Sequence, residues 1–162
     1  MKSVNAIGKG ILRFLPAVFW MCLIFWLSDR PADVSTVQSR SITLRIIKMA
    51  GEWTDSEEAR QGDLILLIEP YVREIAHFAE YAILFILVFF AAGSFAGGYV
   101  KTSMISLFIC FVYAISDELH QFFVQGRSCE VKDIVFDTVG ALTAMLFIMV
   151  IKLKSAVKKD RP

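Results

Sequence analysis

The apolar residues of this chain are pooled into four blocks, 11–28, 75–95, 103–123 and 134–153, instead of being spread through it. A spanning helix needs about 20 consecutive, mostly apolar residues. A soluble domain mixes polar residues into every element, at about 45–50% apolar overall. Here 56% of 162 residues are hydrophobic, with a mean hydropathy of +0.58. In hydrocarbon every backbone polar group must be satisfied within the protein, so spanning blocks of this length become helices. The expected fold is all-α: a polytopic membrane protein, built as a four-helix transmembrane bundle in a single domain at 11–153. Basic tails at 1–10 and 154–162 flank it.

Charge placement orients the bundle. Lys2, Lys9 and Arg13 flank the first block, Lys101 lies in the short 96–102 connection, and Lys152, Lys154, Lys158, Lys159 and Arg161 follow the last. The positive-inside bias therefore predicts both termini in the cytoplasm. The long 29–74 segment holds six basic residues but also nine acids, and long loops obey that bias weakly. The net charge of +1 gives no reason to expect nucleic acid as a partner. Leu27-Ser28-Asp29-Arg30-Pro31 lacks the small residues of a cleavage site, so the first block reads as a retained anchor. Trp20 and Trp26 are candidate interface anchors. Cys22 and Cys110 read as packing residues. Cys129 is alone in a loop, so no disulfide framework is expected.

Between the first two blocks, Val34, Val37, Ile42, Ile46 and Met49 recur at near-helical spacing, with Arg40, Arg45 and Lys48 among them. That pattern predicts an amphipathic helix on the membrane surface in the extracytoplasmic loop. Gly51 is a plausible stop for it. Residues 52–63 read as a solvated stretch. Leu64 to Ile68 is too short to span, and Pro70 is expected to restart the chain.

Ionisable groups in spanning segments mark function by default, because they are costly there. His77 and Glu80 lie on one face at the start of the second block. Ser103, Ser106, Cys110, Tyr113, Asp117 and His120 form a small or polar stripe along the third. Gln121 ends that block, and Asp133 and Asp137 open the fourth. Up-down-up-down folding brings these ends together outside, beside Arg73 and Arg127. His77, Glu80, Asp117, His120 and Asp137 are the candidate catalytic or orienting groups. Arg73, Gln121, Arg127 and Asp133 are the candidate ligand contacts. Separate structural roles compete with this reading. Asp133 is a good N-cap type, Asp137 suits a buried ion pair, Glu118 points about 100° from Asp117 toward an outer surface, and Tyr81 suits an aromatic belt. Two histidines and several carboxylates could hold a divalent ion, but no metal signature is present. The sequence names no cofactor and no oligomeric state.

Five pieces of the chain resemble the VanZ-like family of bacterial membrane proteins. They are Ile24-Phe25-Trp26-Leu27-Ser28 with Pro31; Ala76-His77-Phe78-Ala79-Glu80-Tyr81; Ser116-Asp117-Glu118-Leu119-His120-Gln121; Gly126-Arg127; and Asp133 to Gly140. The resemblance covers roughly 18–150. Glu74 stands where a basic residue is expected, and Gln125 where proline is more usual. The resemblance implies a multi-pass protein of the cell envelope, in a family named for a member tied to teicoplanin resistance. It implies no settled reaction. The expected partner, from the shallow polar pocket, is a membrane lipid or a lipid-linked cell-wall component. An envelope-side enzyme, a non-catalytic envelope binder and a small transporter remain as competing classes.

Overall fold

The computed structural model describes residues 10, 12–49 and 58–159, and all its regular structure is helical. Among the described residues five helices follow in order: α1 Leu15–Ser28, α2 Ala32–Met49, α3 Glu58–Ala92, α4 Tyr99–Gln121 and α5 Val131–Lys159. Three of them, α3, α4 and α5, are long and apolar enough to cross a membrane. With the shorter apolar α1 they make a helical membrane protein.

The first block is shorter than its sequence suggested. Helix α1 has 14 residues, about 21 Å at 1.5 Å per residue, against a hydrocarbon thickness of about 30 Å. Pro16 sits in its first turn, where its missing N–H costs nothing, so the regular helix begins there. The second block is longer than expected. Helix α3 has 35 residues and runs through Pro70. The 58–68 stretch, expected to be solvated or separate, is its first three turns. Proline removes one helical hydrogen bond, the one to the residue four back. That residue is Leu66, on an exposed face. The Gly51 stop and residues 52–57 lie outside the described residues.

Helix α3 is the hub, touching each of the other four, and its most extensive contact is with α5. Tyr81, Leu84, Phe85, Val88 and Phe89 form its buried stripe, against Cys110 and Ala114 of α4 and Ala141, Ala144 and Ile148 of α5. The two helices come close at Gly140, where a Cβ would run into the Phe78 carbonyl oxygen of α3. Glycine is therefore what lets the two backbones touch, as small residues do generally in membrane bundles.

Helix α4 is turned as its stripe predicted. Ser103, Ser106, Cys110 and Asp117 are buried, while Phe108, Phe111, Val112 and Leu119 are exposed. Polar side chains inside and large apolar ones outside are what a lipid surround selects. One aromatic expectation changes. Tyr81 is fully buried, so it is no belt residue. Trp20 ties α1 to α3, its Nε1 donating to the Glu80 carbonyl at 2.9 Å. Cys110 is buried as expected, but Cys22 is exposed.

Helix α2 packs along α3. It buries Ser39, Thr43 and Ile47 and leaves Val34, Val37, Ile42, Ile46 and Met49 exposed. The buried hydroxyls are satisfied within the helix: Ser39 bonds the Ser35 carbonyl and Thr43 the Ser39 carbonyl, both at 2.9 Å. The apolar residues on which the amphipathic pattern rested are thus uncovered by protein. Arg40 reaches Glu69 of α3 at 3.1 Å and holds the helix in place.

Candidate functional site

The loop from 122 to 130 fixes one end of the bundle. Gly126 has φ +76°, and a Cβ on it would press on the Ala32 Cβ at 3.2 Å. Glycine suits both the left-handed backbone and the close contact. The Ala32 N–H donates to the Gln125 carbonyl at 3.2 Å, and Arg127 Nε donates to the Arg30 carbonyl at 3.0 Å. The Gly126-Arg127 pair thereby clamps the junction between α1 and α2.

From that clamp a chain of hydrogen bonds runs inward. Arg127 Nη1 donates to Gln121 Oε1 at 2.9 Å. Gln121 Nε2 donates to Asp117 Oδ2 at 2.9 Å, and Ser28 Oγ donates to the same oxygen at 2.9 Å. Asp117 is buried, and its Oδ1 has no partner among the described residues. On the other side His77 Nδ1 lies 3.4 Å from Asp137 Oδ1. The contact falls outside hydrogen-bond geometry, so both atoms count as buried without a bonded partner. Asp137 has therefore taken the paired role that a deep carboxylate invites. The spacing of this pair follows from Gly140: it lies one turn beyond Asp137, and Phe78 follows His77 directly.

An open cavity of about 190 Å³ lies above these groups, between the end of α1, helix α2 and helix α3. Arg30, Arg73, His77, Glu80 and Arg127 give it a polar wall, and Leu27, Ile42, Val72 and Ala76 an apolar one. Arg30 is held by Gln38 at 2.7 Å and stacks 4.0 Å above the Trp26 ring. Arg73 has no ion pair or hydrogen bond among the described residues. Burial lowers the proton affinity of Arg127, and the like charge of Arg73 lowers it further. A smaller cavity of about 60 Å³ adjoins Arg73 and His77 and is bounded by Glu74, Glu130, Lys132 and Asp133.

Among the sequence-stated candidates, His77, Glu80, Arg73 and Arg127 share the larger cavity. Asp117 and Gln121 reach it through Ser28 and Arg127, and Asp137 stands behind His77. Asp133 faces the smaller cavity. It lies in the first turn of α5 and does not cap it, because that helix begins at Val131. His120 turns the other way, bonding Asp29 at 3.2 Å and stacking on Phe25 at 4.3 Å. Glu118 corrects an expectation. It is buried, and its carboxylate accepts the Glu130 backbone N–H just ahead of α5. The rotation away from Asp117 carries it toward the neighbouring helix, not toward lipid. Glu130 is itself held by Lys132 and Ser128, which lower its pKa. Ser28, Arg30 and the α2 residues Gln38, Ser39 and Ile42 were not singled out as site residues. Ser28 stood within a quoted motif, but nothing local marked α2 as a cavity wall.

The described residues contain no group of three metal-binding side chains. What the geometry offers is an arginine-rich, half-apolar cavity at one end of a helical membrane bundle, with a histidine in its wall backed by a carboxylate. This class of protein has a precise family here. The VanZ/LLP1 family profile matches residues 14–152, and the chain belongs to that family. It is a VanZ-like membrane protein of the cell envelope. No curated protein and no solved structure matches the chain.

Proposed function

We propose that this protein holds the anionic head of an amphiphile, a membrane lipid or a lipid-linked wall component, at the outer face of the membrane. The observation that carries the reading is the cavity in which Arg30, Arg73 and Arg127 share walls with Leu27, Ile42 and Val72. Guanidinium groups recognise anionic oxygens by paired, charge-assisted hydrogen bonds. The apolar wall suits the first methylenes below such a head. The family association with teicoplanin resistance fits a protein that handles envelope components, and belongs to the same proposal. The test is to purify the chain from cells in mild detergent and identify the co-purifying lipids by mass spectrometry. Anionic amphiphiles are expected to be enriched, and depleted in an Arg73→Gln, Arg127→Gln variant. Equal recovery of anionic amphiphiles by both proteins would refute the reading.

Orientation is part of the proposal. Both termini are cytoplasmic, on the strength of the basic tails and Lys101, which puts the cavity outside. Cys129 is exposed in the loop at the cavity end, so a Cys22→Ser variant offers one exposed thiol among the described residues. A membrane-impermeant maleimide should label it on intact cells. Labelling only after permeabilisation would reverse the orientation.

One observation favours a catalytic form of this function. His77 forms part of the cavity wall while Asp137 stands 3.4 Å from its Nδ1, and its Nε2 has no partner among the described residues. A base oriented by a second group is the arrangement that general acid–base work needs. If His77 acts on the bound head, His77→Gln abolishes function while amphiphile binding persists. If the protein only binds, function follows affinity.

A further inference from the structure

The size and charge of the cavity narrow the ligand within the function just proposed, on which this step rests. Clefts that enclose a drug-sized molecule run to about 300–1,000 Å³. This cavity offers about 190 Å³. A disaccharide carrying a peptide does not fit such a space, whereas a phosphate with a few attached carbons does. Three guanidiniums meet one carboxylate, Glu80, along the wall. Arg73 makes no ion pair or hydrogen bond among the described residues, although Glu130 lies within its coulombic reach, and Arg127 spends Nε on the Arg30 carbonyl and Nη1 on Gln121, leaving Nη2 uncommitted among the described residues. The two cations oppose each other, and an anion between them would relieve that repulsion.

The form of the anion follows from the donors. A planar carboxylate is satisfied by a single guanidinium fork. Donors converging from several elements suit a tetrahedral group with three free oxygens and more than one charge. Arg30 lies just beyond α1, Arg73 on α3 and Arg127 in the 122–130 loop. We propose that the cavity selects the small phosphomonoester head of a lipid, in preference to the glycan-bearing diphosphate head of a wall precursor. Leu27, Ile42, Val72 and Ala76 take the glycerol and upper chain, so the lipid is favoured over free phosphate.

Native mass spectrometry of the full chain in neutral detergent tests this, with three probes: dioctanoyl phosphatidic acid, inorganic phosphate, and a polyprenyl diphosphate carrying a disaccharide-pentapeptide. Phosphatidic acid is expected to bind at least about tenfold more tightly than either competitor, the factor that one charge-assisted hydrogen bond contributes. Arg73→Gln should lose about tenfold, and Arg73→Lys, which keeps the charge but not the fork, should lose part of that. Arg73 is exposed, so unchanged thermal unfolding of both variants shows that the bundle is intact. Equal binding of the glycan-bearing lipid overturns the size selection but leaves the proposed function standing. Equal binding of inorganic phosphate overturns the lipid assignment. Binding of none of the three overturns both. Unchanged affinity in Arg73→Gln removes the site from this cavity.

Discussion

The two ends of the bundle are built on opposite terms. At the end away from the cavity, Leu84, Phe85, Val88 and Phe89 of α3 meet Ala144 and Ile148 of α5 in an apolar cluster that includes no charged group. Most of its polar groups are tied off: Tyr99 bonds the Met145 carbonyl at 2.8 Å, Lys152 lies over the Tyr99 ring at 5.1 Å, and Ser103 Oγ is the one buried atom there without a hydrogen bond among the described residues. At the cavity end, Asp117, Glu118, Gln121 and Asp137 are buried. Four buried atoms there, on His77, Tyr81, Asp117 and Asp137, lack a hydrogen bond among the described residues. Each such atom costs about 1–3 kcal/mol. One end is arranged to hold the helices together, and the other carries polar groups that stability alone would exclude. Function is the usual reason for retaining them.

The largest expected effect sharpens that contrast. Asp137→Ala should cost about 3–5 kcal/mol, because it leaves a buried partner uncompensated, while a joint His77→Leu, Asp137→Leu change should cost much less. Denaturant-induced unfolding in mixed micelles measures both. If the double variant is as unstable as the single one, the polar end owes its retention to folding. Next comes the contact that sets the spacing of that pair. Gly140→Ala should cost about 1–3 kcal/mol by overpacking against the Phe78 carbonyl, and should lower amphiphile binding as well. A stable variant with unchanged binding would separate the helix contact from the site. The smallest effect is expected from Tyr113→Phe. Its hydroxyl bonds the Met21 carbonyl at 2.6 Å between α4 and α1, and such bonds in membrane bundles average about 0.6 kcal/mol. A loss several times larger would assign Tyr113 to the site.

The two ends were also unequally legible. Apolar blocks located the three long helices and the inward stripe of α4, since lipid leaves polar side chains only one place to go, but overstated the length of α1. Helix ends were less readable. Pro70 looked like a break because its local cost is visible in sequence, whereas the packing of α3 on α2 and α5 that sustains the helix through it is not. Most of the site residues that could be named lie on spans, where each charge stands out against hydrocarbon, and Arg73 and Arg127 lie just outside them. Ser28, Arg30 and the α2 wall could not, because ordinary polar residues near a loop carry no such contrast. Glu118 and His120 show the limit of helical spacing as a guide. Spacing gives the angle between two side chains, but not which neighbouring helix fills it. Glu118 found the start of α5, and His120 found Asp29.

The central claim is that Arg73 and Arg127 hold the phosphate of a lipid head. Solid-state NMR distance measurement between phosphorus and guanidinium nitrogen tests it most directly, using arginine-labelled protein in neutral bilayers doped with phosphatidic acid. The expected result is a phosphorus within about 4 Å of guanidinium nitrogens, the distance set by a charge-assisted hydrogen bond plus one P–O bond, with the coupling reduced in Arg73→Gln and again in Arg127→Gln. A spectrum in which no arginine nitrogen couples to phosphorus, or in which both substitutions leave the coupling intact, would contradict it.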